Sequence, residues 1–77
     1  MRDEIQVAFG HAIRKFRTEK KISQETFANM CGLHRTYISD IERGLRNVSI
    51  ENIDKMARAL DMNISDIFKE VESNEGI

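Results

Sequence analysis

The stretch from Gln24 to Arg43 carries two short helical patterns separated by a glycine, and it constrains the fold more than any other feature of the chain. Phe27, Ala28 and Cys31 fall on one face of the first pattern, and Tyr37 or Ile38 with Ile41 make the apolar face of the second. Gly32 lies just past the last periodic residue of the first pattern, where a left-handed residue can end a helix, and the small Ala28 lets a second helix cross closely. The pattern reads as a helix-turn-helix. Only one side of its second helix is apolar. The other carries Arg35, Thr36, Ser39, Asp40 and Arg43, donors and acceptors suited to base edges and phosphates.

A chain of 77 residues supports one domain with one small core, too little for a core plus a deep substrate cavity. No Ser/His/Asp set, paired carboxylate site or glycine-rich phosphate loop stands out, so an enzyme is disfavoured. The absence of proline, with 40% hydrophobic residues at three-to-four spacing, predicts an all-α domain. No apolar run approaches the length of about 18 residues that crosses a bilayer, and Met1-Arg2-Asp3-Glu4 is not the start of a signal peptide, so the expected location is the cytoplasm, away from membranes. The single cysteine, Cys31, sits at an apolar helical position and reads as a small buried thiol. Met30, Met56 and Met62 read as core fillers, and neither His11 nor His34 has a second ligand at zinc spacing, so no metal or cofactor is expected.

A net charge of −1 argues weakly against nucleic acid, whose partners are usually basic. Its distribution argues the other way: residues 1–48 carry nine Lys/Arg against six acids, and residues 49–77 three against seven. The basic side chains gather around the helix-turn-helix pattern, which suggests one face for phosphate and another for something else; two merely solvated faces are the alternative.

Along the chain, Ile5, Phe9, Ala12, Ile13 and Phe16 predict a first helix from about Arg2 to Thr18, with Arg14, Lys15 and Arg17 complementing the dipole at its end and Gly10 as a weak interior point. Ser23 caps a second helix, about Gln24 to Cys31, and a third runs from about Arg35 to Arg43 with Gly44 just beyond it. Leu45 to Val48 is a loop with one or two apolar anchors. Ser49 caps a fourth helix with the stripe Ile50, Ile53, Met56, Ala57 and Leu60, and Ser65 a fifth, about Asp66 to Glu72. Residues 1–72 form one domain, and residues 73–77 read as a flexible tail.

Over residues 5–71 this pattern resembles the phage-repressor (Cro/CI-like, XRE-type) helix-turn-helix domains. Ser23-Gln24-Glu25, the run from Arg35 to Gly44 and Arg46-Asn47-Val48-Ser49 look most like the small controller proteins of restriction–modification systems. The resemblance implies a sequence-specific DNA-binding transcriptional regulator, with the third helix in the major groove and the start of the second facing the DNA backbone. By that carry-over Arg35 and Thr36 read bases, Arg35 pairing with guanine O6/N7 and Thr36 meeting a thymine methyl, and Tyr37 and Ser39 join them unless Tyr37 packs inward or Ser39 meets only phosphate. Ser23, Gln24, His34, Arg43, Arg46 and Asn47 are the expected backbone contacts. Asp40 is expected to pair with Arg43 or Arg35, and Glu42 with a cation or the loop backbone.

So small a reader gains useful specificity by binding a pseudo-palindromic operator as a homodimer. Ile64, Ile67, Phe68 and Val71 are the expected dimer surface, with core packing of one or two of them as the alternative. Double-stranded DNA, a second copy of the chain and RNA polymerase are the implied partners, with no small-molecule ligand. An antitoxin or prophage repressor would share the same domain, and a pI near 6.1 keeps open a protein-interaction module that does not bind DNA.

Overall fold

The computed structural model describes residues 4–75, and in it the chain forms five helices in the predicted order: α1 (Glu4–Glu19), α2 (Gln24–Cys31), α3 (Arg35–Glu42), α4 (Ile50–Ala59) and α5 (Ile64–Glu75). Each apolar stripe contributes to one core, in which Ile13, Phe27, Ile38, Ile41, Met56, Leu60, Ile67 and Val71 are fully buried. Helix α1 packs against α3 and α5, and α2 against α3 and α4, so α3 is held from behind by two helices and keeps one long side to solvent. No helix of the described residues is long and apolar enough to cross a membrane.

The helix ends follow the local sequence. The Ser23 and Ser49 hydroxyls accept from the backbone N–H of Thr26 and Asn52, at 3.0 and 3.1 Å, satisfying donors that α2 and α4 cannot. Gly32, at φ 70°, ends α2, and Leu33 N–H closes back onto the Ala28 carbonyl at 2.9 Å. Gly44 closes α3 in the same way. So do Lys21 (φ 60°) and Asp61 (φ 56°) for α1 and α4, with no glycine to announce them.

Several expectations are corrected. Helix α5 starts at Ile64, not after Ser65: Asp66 Oδ2 accepts from Asn63 N–H at 3.3 Å, and Ser65 lies within the first turn. It also continues through residues 73–75, where Asn74 Nδ2 donates to the Ala8 carbonyl at 3.4 Å, so the expected tail is helical over residues 73–75, while residues 76–77 lie outside the described residues. The expected start of α1 at Arg2 likewise lies outside them. Met30 (51% exposed) is not a core filler, since it flanks the Phe27–Cys31 face. Ile5 and Ile50 sit in the first turns of α1 and α4, beyond the elements that cover the rest of each stripe, and are 52% and 79% exposed. Ile67 and Val71 form core, not a dimer surface: at i and i+4 of α5 they make its inward face, leaving Phe68 half-buried and Ile64 exposed.

The interior Gly10 has a definite role. A Cβ there would collide with the Ile41 carbonyl oxygen and lie 3.0 Å from that of Glu42, so the glycine is what lets α1 reach the backbone of α3.

Candidate nucleic-acid interface

The outer side of α3 is set by what its inner side buries. Ile38, Ile41 and Glu42 point into the protein, which leaves Arg35, Thr36 and Arg43 exposed and Ser39 and Asp40 half-buried on the other side. His34 holds the N-cap position with extended backbone and no side-chain capping bond, and its side chain is exposed beside Arg35. Arg35 and Thr36 therefore open α3 on its solvent side, where a base reader must stand.

Two polar networks hold this surface. The first lies beneath it. Arg17 Nε and Nη2 pair with the two Glu42 carboxylate oxygens at 2.6 and 2.9 Å, and Arg17 Nη1 donates to the Ile22 carbonyl at 2.8 Å. Both side chains are buried, at 9% and 7% exposure for the residues. Gln24 Nε2 donates to the same carboxylate at 3.0 Å, so one acid at the end of α3 ties together the end of α1, the first turn between helices and the start of α2. The hydrogen bond to Glu42 holds the Arg17 guanidinium above its usual pKa, so it stays charged. Bidentate geometry with the remaining donors satisfied is what makes such a pair tolerable inside a protein.

The second network lies on the surface at the same end of α3. Asp40 accepts from Arg43 Nη2 at 2.6 Å and from Arg46 Nε and Nη2 at 3.3 and 3.2 Å. The Arg46 guanidinium also lies over the Tyr37 ring, 5.3 Å from its centroid, and Asn52 Nδ2 donates to the Tyr37 hydroxyl at 3.0 Å. Tyr37 is thus packed, yet its hydroxyl accepts here and keeps its own proton to donate.

Of the expected contacts, Arg35, Thr36, Ser39 and Arg43 share one side of α3, and Arg46 joins them through Asp40; the expected Asp40–Arg43 pair forms, and Asp40 takes Arg46 as its second partner rather than Arg35. Asn47 is exposed in the following loop. Ser23 serves as a helix cap, and Gln24 is turned toward Glu42. Arg17, expected at the helix end as a dipole partner, is instead a buried anchor. The signal was its position four residues after Ile13, on the same face as Phe9. Asn52 carried no such signal. Cys31 is buried as expected, and burial pushes its thiol up to about 11, which keeps it protonated at neutral pH.

A groove of about 160 Å³ lies between the start of α1, the loop before α4, and helices α4 and α5, lined by Ile5, Phe9, Val48, Ile53 and Phe68 with Arg46 at its edge. The Phe9 and Phe68 rings meet in this lining, with centroids 5.8 Å apart and planes tilted by 32°.

The sequence pattern of the helix-turn-helix family matches residues 13–67. The chain is 50% identical over 68 residues to control protein C.BamHI of Bacillus amyloliquefaciens, spanning 87% of this chain and 84% of that one. Its fold is similar to the restriction–modification controller protein C.AhdI from Aeromonas hydrophila, with 49% identity, a TM-score of 0.80, and 82% of this chain and 96% of the other covered. It is also similar, at 30% identity and a TM-score of 0.86 over 95% of this chain and 96% of the other, to the controller protein C.Esp1396I, seen as a tetramer in complex with its natural 35-base-pair operator.

Proposed function

The chain belongs to the helix-turn-helix family, and on that premise we propose that it is a sequence-specific DNA-binding transcription regulator of the restriction–modification controller kind, acting as a dimer on a pseudo-palindromic operator. The observation that carries this reading is the outer side of α3, with Arg35 and Thr36 exposed at its start and Arg43 and Arg46 at its other end. Arg35 and Thr36 read base edges, with Ser39 and the Tyr37 hydroxyl beside them; Ser23, Gln24, His34, Arg43, Arg46 and Asn47 meet the backbone. The protein works in the cytoplasm as one domain without catalysis, and RNA polymerase is its further partner at the promoter.

Binding to the DNA upstream of the chain's own reading frame tests this. Arg35→Ala is expected to lower operator affinity by about 1–3 kcal/mol and to relax the preference at one guanine position, leaving random DNA nearly unaffected. Equal weakening on every sequence would make Arg35 a phosphate contact. A wild-type chain with no preference for any duplex would end the reading.

The dimer surface is re-drawn around the groove. Ile5 and Phe68 from the lining, with Ile50 one turn before Ile53, replace Ile67 and Val71, and Ile64 lies at the start of the same α5. Ile50→Glu costs the monomer little, because the side chain is 79% exposed. Sedimentation is expected to give a folded monomer, and gel shifts a weakened operator complex. An Ile50→Glu chain that still sediments as a dimer would move the interface elsewhere.

A further inference from the structure

Asp40 stands where a carboxylate should be a liability. It follows Thr36 by four residues and precedes Arg43 by three, so it shares their side of α3 and would face phosphates of the same DNA. Its side chain is nevertheless only 17% exposed, because two guanidiniums cover it, and theirs are 63% (Arg43) and 49% (Arg46) exposed. Of five N–H donors each, Arg43 commits one to Asp40 and Arg46 two, so both keep donors free for phosphate while held. Arg46 is fixed a second time by the Tyr37 ring, which Asn52 anchors to α4. The hydrogen bond from Arg43, then that from Arg46, holds the Asp40 carboxyl below its ordinary range, so it is ionised at neutral pH.

We propose that Asp40 is a specificity-determining residue of the DNA interface: it fixes Arg43 and Arg46 in position and cancels one of their two charges. This rests on the reading that α3 enters DNA. Two unrestrained arginines attract any duplex, because mobile cations find phosphates in every register. Restrained by one carboxylate, the trio presents a single net positive charge at fixed points. A duplex whose base contacts with Arg35 and Thr36 set the right register meets those points in place, and other registers do not. The acid thereby subtracts more from binding to random DNA than from binding to the operator. Three of the roughly four acceptor sites of the Asp40 carboxylate are taken by arginine, which leaves at most one for a direct role in accepting from cytosine N4.

The test compares wild type, D40N, D40S and D40E on two duplexes of equal length, one selected by the wild-type chain from a random-sequence pool and one of random sequence, titrated from 50 to 200 mM salt. Without the charge, D40N and D40S should bind the random duplex about five- to tenfold more tightly at 0.1 M salt, with a salt slope steeper by about one. Their affinity for the selected duplex should change by less than about threefold, so the ratio between the two falls. D40E, which keeps the charge, should restore the wild-type ratio. Unchanged random-duplex binding, or an equal gain on both duplexes, would overturn the proposal. So would a loss confined to one cytosine of the selected site, which would make Asp40 a reader of bases. If the wild-type chain selects no sequence, the DNA-binding reading itself fails, a result distinct from each of these.

Discussion

Gly10→Ala is expected to destabilise the fold by about 3 kcal/mol or more, although alanine is the better helix former by about 1 kcal/mol. The opposing signs make the experiment decisive. If Gly10 were an ordinary interior helix position, the added methyl would raise the melting temperature. The structure instead puts that methyl against the Ile41 carbonyl oxygen and 3.0 Å from the Glu42 carbonyl, both backbone atoms of α3 that cannot rotate aside. Relief requires α1 and α3 to separate, which opens the packing around Ile13, Ile38 and Ile41. For a domain of this size a melting-point drop of about 10–20 °C corresponds to the net loss. Thermal unfolding followed by circular dichroism measures it directly, and an unchanged or higher midpoint would show that the helices can part cheaply.

What the sequence made legible here divides along physical lines. The five helices, the Ser23 and Ser49 caps and the left-handed Gly32 depend on residues near one another in the chain, and local chemistry reported them. The outer side of α3 was legible for the same reason, as the complement of a buried stripe. The left-handed caps at Lys21 and Asp61 are less legible, because a side chain makes that conformation costlier than it is for glycine. The remaining misses are about partners distant in sequence. Gly10 looked like a weakness because nothing local says that α3 passes against it. Phe68, Val71 and Ile67 share one apolar pattern, and only the packed structure separates two that face the core from one that lines a groove. Arg43 and Arg46 were recognised as phosphate-seeking side chains, but the second partner of Asp40 became visible only when the loop after α3 folded back beside it.

The Arg17–Glu42 pair couples that framework to the start of α2 and the end of α3, and its removal should show this in two separable measurements. Arg17→Met leaves the Glu42 carboxylate buried with Gln24 as its remaining hydrogen-bond donor, and Glu42→Leu leaves a buried guanidinium bonded only to the Ile22 carbonyl. Each single change is expected to cost about 3–5 kcal/mol, most of it the penalty of an uncompensated buried charge. The double variant should recover to within about 1 kcal/mol of wild type, because two apolar side chains of similar volume refill the space with no charge to desolvate. Operator affinity should not recover with stability. The carboxylate that accepts from Gln24 at 3.0 Å is gone in the double variant, and with it the bond that fixes the start of α2 relative to the end of α3. A chain that unfolds like wild type but binds its operator tenfold or more weakly, about 1.4 kcal/mol, would separate the two roles of the pair. If the double variant were as unstable as the sum of the singles, the hydrogen-bond geometry itself would be holding α1 to α3. If it bound the operator normally, Gln24 would not need Glu42 to meet the backbone, and the buried pair would serve the fold alone.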